Sequence, residues 1–236
     1  MKQQIKSRQR VTEHGEVFTG EREVKAMCDL VDNETNRIDS RFLEPACGDG
    51  NFLAEILTRK LARVKKQYKS SHLDYEKNAI LALSSMYGVD ILLDNCIACR
   101  ERLFKLWDDE YTAVCKKDAN DETREAAKFI LKRNIVCGNA LTLMCVDENC
   151  NDTKEPIVFS EWSFVMGSQI LRKDYRLDVL LRENKSKDFY SDQMSIFFDE
   201  ANSMDNWMID PITQRIVPKP VREFPSIHYR RVQENG

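Results

Sequence analysis

The sequence predicts an α/β fold in which a mostly parallel sheet is covered by helices on both faces. Short apolar strands alternate with amphipathic helices between residues 41 and 159. Strands buried on both faces of a sheet have this apolar character, and intervening helices supply the crossovers between parallel strands. Glycine and proline, 8 and 6 of 236 residues, are too scarce for a β-sandwich rich in tight turns.

The first half of the pattern contains two predicted strands with helices around them. A short strand over 41–43 leads into a glycine-containing turn, and an amphipathic helix follows at once. The apolar face of this helix carries Leu53, Ile56, Leu57, Leu61 and Val64. A second helix over 74–85 and a buried strand over 86–91 come next. Upstream, Thr19 occupies the N-cap position of another helix. The apolar face of that helix holds Val24, Met27, Leu30 and Val31.

The second half of the pattern adds two more strands. Helices around 93–107 and 122–132 precede a third strand over 134–141. A polar loop over 147–155 separates it from a fourth strand over 156–159. The weaker pattern beyond the fourth strand indicates a strand over 168–172, a helix over 174–181 and an extended tail over 216–221.

Composition restricts the class of protein. No apolar run approaches the roughly 18 residues of a membrane-spanning helix, and no apolar stretch follows the basic N-terminus. The net charge of −3 excludes a strongly basic nucleic-acid coat protein. We therefore expect a cytoplasmic protein without membrane contact, whose eight cysteines are reduced. Its expected regions are a basic flexible arm over 1–10, the α/β domain over 11–165 and a short C-terminal extension over 166–236.

Three unusual segments lie at predicted carboxyl ends of strands: Glu44–Phe52, Asp90–Ile91 and Gly138–Leu141. Ligands bind beyond the carboxyl ends of strands in an open parallel sheet, so the segments predict one shared site. The turn with two glycines lets the backbone approach a ligand closely. Asp49 within this turn disfavours a pyrophosphate, which favours a cationic or zwitterionic ligand over a dinucleotide.

Two side chains at these strand ends have a ligand-binding and a structural interpretation. Asp90 has two acceptor oxygens, which suit both hydroxyls of a ribose, but an Asp at this junction is also a common helix N-cap. Asn139 could pair with the edge of an adenine ring or serve as a turn residue after the third strand.

The sequence resembles a known family in four segments. Glu44-Pro45-Ala46-Cys47-Gly48-Asp49-Gly50-Asn51-Phe52 resembles the first motif of the S-adenosylmethionine-dependent N6-adenine DNA methyltransferases of restriction–modification systems. Tyr87–Ile91 resembles their ribose-binding motif, and Gly138–Leu141 the segment that holds the adenine of the cofactor. Gly15–Thr19 resembles the upstream motif that packs on the methionine end. The likeness covers about residues 11–165, the methyltransferase-like domain.

The resemblance implies a Rossmann-like methyltransferase fold and S-adenosyl-L-methionine as the cofactor. Glu44 would hold its methionine amine, Asp90 its ribose hydroxyls and Asn139 the amino edge of its adenine, on which Ile91 packs. The two glycines of the first motif would face the methionine and ribose. The implied cofactor-binding residues are Phe18, Thr19, Glu44, Pro45, Ala46, Gly48, Gly50, Asn51, Phe52, Asp90, Ile91, Asn139, Ala140 and Leu141.

The catalytic signature of the family, Asn/Asp/Ser-Pro-Pro-aromatic at the end of the fourth strand, is missing. The sequence contains no Pro-Pro pair, and the fourth strand continues into Ser160, Glu161 and Trp162. Ser160 or Glu161 could accept a hydrogen bond from an adenine amine, and Trp162 could stack on a flipped base. Polar and aromatic residues at a strand end also commonly just close a sheet.

Three functions therefore stay open. The first is an S-adenosylmethionine-dependent methyltransferase acting on DNA, and the second a catalytically degenerate cofactor-binding or partner subunit, paired with a specificity or active methyltransferase subunit. The third is methyl transfer to a non-DNA acceptor. Cysteines 96, 99, 145 and 150 could hold zinc but are interpreted as packing thiols, so no metal is expected. The basic face over 59–66 and the arm could follow phosphates or simply be solvated.

Overall fold

The computed structural model describes residues 10, 12, 19–186, 204–211 and 213–236. The predicted cofactor residue Phe18 and most of the predicted arm lie outside this part of the chain. Within the described residues, no helix is both long enough and apolar enough to cross a bilayer. The α-helices are α1 (Glu21–Leu30), α2 (Asp32–Thr35), α3 (Asn51–Tyr68), α4 (His72–Ser84), α5 (Leu93–Cys115), α6 (Asp121–Asn134) and α7 (Leu177–Ser186).

The main sheet has five strands in the order β1–β2–β3–β4–β5. Its strands are β1 (Phe42–Glu44), β2 (Met86–Asp90), β3 (Ile135–Asn139), β4 (Met144–Val146) and β5 (Asp152–Pro156). β1, β2 and β3 are parallel, whereas β4 and β5 add antiparallel to the β3 edge. The α/β class is confirmed, but the sheet is mixed. The polar loop predicted over 147–155 is wrong in part, because β5 occupies its second half.

The helices between the parallel strands pack on one face of the sheet. Right-handed crossovers that always step in the same direction place their helices on the same side. Residues of β2 alternate accordingly: Met86 belongs to the core under α3–α6, while Tyr87 and Val89 belong to a second cluster. That cluster is closed by Ile157, Phe159 and Leu177. The prediction of helices on both faces is therefore wrong for most of the described sheet, because among the described helices only α7 contributes a residue, Leu177, to the cluster on the second face.

The predicted fourth strand extends much further and leaves the parallel sheet. β6 (Val158–Met166) forms an antiparallel hairpin with β7 (Gln169–Arg176), joined by the short strands β10 (Arg222–Glu223) and β11 (Ile227–His228). A separate hairpin contains β8 (Trp207–Ile209) and β9 (Ile216–Pro218). The predicted boundary at 165/166 falls within the β6–β7 hairpin, and the helix predicted from 174 begins at Leu177 because β7 continues to Arg176.

A buried carboxylate fastens the C-terminal turn to the helical layer. Glu76 in α4 accepts hydrogen bonds from the Tyr229 and Tyr111 hydroxyls, both at 2.5 Å, and from Arg230 Nε at 2.6 Å. Burial raises the pKa of Glu76, but these hydrogen bonds outweigh it and the pKa is lowered overall. Tyr229 and Val232 are buried in the main core. The last residues therefore belong to the same core as the parallel strands.

The predicted basic face of α3 is largely neutralised. Arg59 contacts Glu55, Asp29 and Asp32, so its charge is balanced by carboxylates. Lys60 is fully buried, and its ammonium group donates to the carbonyls of Ile38 and Ser40 and to the Ser85 hydroxyl. Desolvation lowers the pKa of Lys60 to about 7. This face of α3 therefore loses much of its support as a surface for phosphates.

The buried ammonium of Lys60 predicts a pH-dependent stability. With a folded pKa of about 7 and an ordinary value of 10.5, the unfolded chain binds more protons between these values. The free energy of unfolding should therefore rise with pH in this window, by at most about 1.4 kcal/mol per pH unit. Urea unfolding at neutral and mildly alkaline pH should show that the free energy of unfolding of the wild type increases relative to that of Lys60→Met as the pH rises.

Lys65→Met is the matched control, because Lys65 is half exposed and paired with Glu110. The difference in free energy of unfolding between Lys65→Met and the wild type should not change over the same pH range. A difference between wild type and Lys60→Met that is equally independent of pH would contradict the assignment.

Candidate functional site

A cleft of about 370 Å³ opens at the carboxyl ends of the three parallel strands. All three segments singled out in the sequence contribute to its wall, together with Met27 of α1 and Thr19 before it. The N-cap of α1 is Gly20 and not Thr19, so the predicted cap is wrong by one residue. The lining residues are Thr19, Met27, Glu44, Pro45, Ala46, Cys47, Gly48, Asp49, Asn51, Phe52, Asp90, Ile91, Leu92, Asn95, Gly138, Asn139 and Ala140. Eleven of the fourteen implied cofactor residues are in this set. The fold thus brings the predicted segments to one place.

Asp90 organises the floor of the cleft. Its Oδ2 accepts the backbone N–H of Gly48 at 2.9 Å, which ties the end of β2 to the turn after β1. Its Oδ1 accepts the N–H of Leu92 at 2.9 Å and the Asn95 amide at 3.2 Å, which fixes the start of α5. The carboxylate is 9% exposed. Because three protein donors already use it, Asp90 has little capacity left to bind both hydroxyls of a ribose at once.

The charge of Asp49 is compensated within the protein. Arg102 in α5 donates to both oxygens of Asp49, and the same guanidinium reaches the Asn51 side-chain oxygen. The prediction that Asp49 repels a pyrophosphate is therefore weakened. The remaining negative groups of the cleft are Glu44 and Asp90, and no Lys, Arg or His among the described residues lines it. Burial raises the pKa of Glu44, only partly offset by the Ala46 backbone N–H.

The structure places two of the implied cofactor residues, Gly50 and Leu141, outside the cleft wall, and a third is not described. Phe18 lies beyond the described residues. Leu141 is 94% exposed and is not part of the lining. Gly50 faces α5, because a Cβ built on it would lie 2.7 Å from Cys99 Sγ. With φ of +86°, Gly50 is the left-handed residue that caps α3, so its role is to let the turn pass close to α5.

Asn139 has the hydrogen bonds of a turn residue, which is the second of the two roles that the sequence predicts for it. Its Oδ1 accepts the N–H of Leu141 at 3.0 Å and of Thr142 at 3.4 Å, and its Nδ2 donates to Asp152 at 3.0 Å. The residue still lines the cleft beside Ala140. One amide hydrogen remains for a ligand, so the contact with an adenine edge stays a prediction.

The three proposed catalytic residues lie at the other end of the sheet. Glu161 accepts from Arg41, the residue before β1, at 2.6 Å. Trp162 is 5% exposed and donates to Asn134, the residue before β3, at 3.1 Å. Ser160 is fully buried beside them. Residues that precede parallel strands are at the amino-terminal end, whereas the cleft is at the carboxyl end, so this geometry does not support a catalytic role in the cleft.

Sequence reasoning missed several residues that shape the cleft. Asn95 could have been found, because it lies in the first turn of the helix that follows Asp90. Arg102 carried no signal, since its pairing with Asp49 depends on how α5 packs. Five of the eight cysteines are buried in the fold. Among them, Cys47 hydrogen-bonds Cys99, which together with burial raises the pKa of Cys47. Within the described residues, no group of His, Cys, Asp and Glu is arranged to hold a metal ion.

The tight contact of Gly50 predicts a large cost for a single methyl group. Gly50→Ala adds left-handed strain of about 1–2 kcal/mol and overpacking against Cys99 of about 1–3 kcal/mol. Gly167→Ala is the matched control, because Gly167 also has a positive φ, of +56°, but nothing within 4 Å of its Cβ position. Urea unfolding should show Gly50→Ala as clearly the less stable variant. Equal losses would mean that the contact with Cys99 contributes nothing.

Comparison of the chain with protein-family models, curated proteins and solved structures gives no match in any of the three. The function of the cleft must therefore be inferred from its own residues and their chemistry.

Proposed function

We propose that the protein binds S-adenosyl-L-methionine in the cleft at the carboxyl ends of β1, β2 and β3, as the cofactor-binding part of a methyltransferase similar to the N6-adenine DNA class. One observation carries the proposal: segments far apart in sequence, each resembling a cofactor motif, line the same cleft. Assignment of the sheet to the Rossmann-like methyltransferase fold is supported by the same motifs and by the consecutive parallel order of β1, β2 and β3.

The charge of the cleft supports a cationic ligand. Glu44 and Asp90 are acidic and no cationic side chain of the described chain lines the wall, which disfavours phosphate groups and favours a sulfonium and an ammonium group. Asn51 and Phe52, the first residues of α3, also line the cleft, and the N–H groups of a first helical turn can donate to a carboxylate. The volume of about 370 Å³ lies within the range typical of small-molecule sites.

A specific observation favours the second candidate, a subunit that binds the cofactor without transferring its methyl group alone. Three side chains could replace the missing Asn/Asp/Ser-Pro-Pro-aromatic signature: Ser160, Glu161 and Trp162. All three form hydrogen bonds at the opposite end of the sheet. An acceptor amine must lie within near-attack distance of the methyl group for transfer. A DNA-recognising or active methyltransferase partner would then supply the acceptor site. Transfer to RNA, protein or a small molecule remains the third proposal.

Calorimetric titration with S-adenosylmethionine tests the binding site. We expect micromolar binding by the wild type and about 10- to 150-fold weaker binding by Glu44→Gln, because a charge-assisted contact to an ammonium group contributes about 1.5–3 kcal/mol. Glu161→Gln is the matched control, since the same change at the far end of the sheet should leave the affinity unchanged. Undetectable binding by folded wild type, or equal loss in both variants, would refute the assignment.

Transfer of a labelled methyl group separates the candidate functions. The subunit proposal predicts no label in adenine-containing DNA with the purified protein alone, and label only when a partner is added. Label in DNA with the pure protein would favour a complete methyltransferase. Label that appears only in RNA, protein or small molecules of a cell extract would favour the third proposal.

A further inference from the structure

Two arginine side chains bind one carboxylate at the amino-terminal end of the parallel strands, and a third arginine lies on the neighbouring strand. Arg172, whose side chain is 4% exposed, donates to both oxygens of Asp174 at 2.8 Å. Arg133, near the end of α6, donates to the same carboxylate at 3.2 Å. Arg222 lies opposite Asp174 in the pairing of β10 with β7. We call Arg133, Arg172 and Arg222 the arginine cluster.

Asp174 cannot compensate the whole cluster. Its Oδ1 accepts from the Ser160 hydroxyl at 2.6 Å and from Arg172 Nε, and its Oδ2 accepts from Arg172 Nη2 and Arg133 Nη2. Each oxygen thus has two donors, as many as its lone pairs accommodate. Arg222 contacts the Phe224 ring but forms no ion pair in the described part of the chain. Three cations against one carboxylate leave an excess charge of +2.

Among the described residues, the neighbouring side-chain carboxylates do not supply the missing anion. Glu161 accepts from Arg41 at 2.6 Å, so this pair is neutral. Lys173 donates to Glu223 at 3.1 Å, which forms a second neutral pair across β7 and β10. Both carboxylates next to the cluster therefore already have a cationic partner, and the excess charge remains.

The electrostatics of Arg133 reflect this excess. Burial and the charges of Arg172 and Arg222 lower the pKa of Arg133, despite the opposing effect of Asp174. The surroundings thus disfavour the positive charge that Arg133 carries, a penalty that a bound anion would relieve. The Arg133 side chain is 34% exposed and Arg222 is exposed, so both side chains are accessible from solvent.

We propose that Arg133 and Arg222, with Arg172 behind them, form a binding site for a phosphate group. The planar fork of a guanidinium group matches the oxygens of phosphate and can bind them through paired hydrogen bonds. The site lies at the opposite end of the strands from the cleft, so it does not depend on what the cleft binds. The phosphate can be a free or terminal phosphate, or a phosphodiester of a nucleic-acid backbone.

Titration with inorganic phosphate at constant ionic strength tests the proposal. Phosphate should raise the midpoint of thermal unfolding of the wild type above that in chloride, because a ligand of the folded state stabilises it. Arg222→Gln and Arg133→Gln should each weaken phosphate binding roughly tenfold, the loss of one charge-assisted contact. Arg231→Gln is the matched control, because Arg231 is exposed and already paired with Glu234.

Substitution of the exposed Arg222 should leave the fold intact, so it remains informative if Arg133→Gln is unstable. Adding a nucleoside monophosphate or a short DNA duplex distinguishes the sources of the phosphate. A duplex that binds with a salt dependence reduced by Arg222→Gln identifies a phosphodiester, and binding of phosphate and monophosphate alone identifies a terminal phosphate. Equal stabilisation by phosphate and chloride, or wild-type phosphate affinity in Arg222→Gln, would overturn the proposal.

Discussion

The cleft depends on the Asp90 carboxylate more than on any other single group. It joins the turn after β1 to the start of α5 through the N–H groups of Gly48 and Leu92 and the amide of Asn95. Backbone donors left without a partner at a buried site cost about 1–3 kcal/mol each, so removing this carboxylate would loosen both loops. The residue assigned to a ligand by resemblance therefore also holds the binding site in shape.

The two ends of the parallel strands have opposite electrostatic character. At the carboxyl end, Glu44 and Asp90 border a cleft without a cationic lining in the described residues. At the amino-terminal end, Asp174 faces the arginine cluster. A sheet only a few residues long thus separates a site suited to a cationic ligand from one suited to an anion. This separation is the physical basis for assigning the two ends different ligands.

Local patterns in the sequence predicted the parallel strands, the helices between them and the segments at their carboxyl ends. The predicted apolar face of α3 is confirmed, because Leu53, Ile56 and Leu57 are buried. Periodicity gives the direction of a side chain but not what lies there, so it does not show that Lys60, on the predicted basic face, is buried. In α1 the buried residues are Val24 and Cys28, while Met27 is half exposed at the cleft.

Features that depend on distant pairing could not be predicted. Nothing in the segment from 156 shows that β6 pairs antiparallel with β7 instead of joining the parallel strands, and this pairing takes Trp162 away from the cleft. The compensation of Asp49 by Arg102 likewise depends on the packing of a helix more than fifty positions away. The sequence therefore identified segments that meet in one cleft, but it did not show the strand pairing that takes Ser160, Glu161 and Trp162 to the other end of the sheet.

Amide NMR of the ¹⁵N-labelled protein during addition of S-adenosylmethionine tests the central claim most directly. The cleft assignment predicts concerted shifts of the Gly48, Leu92 and Gly138 amides, with little change around Trp162 at the other end of the sheet. Shifts confined to the region of Trp162, or a spectrum unchanged at saturating cofactor, would contradict it.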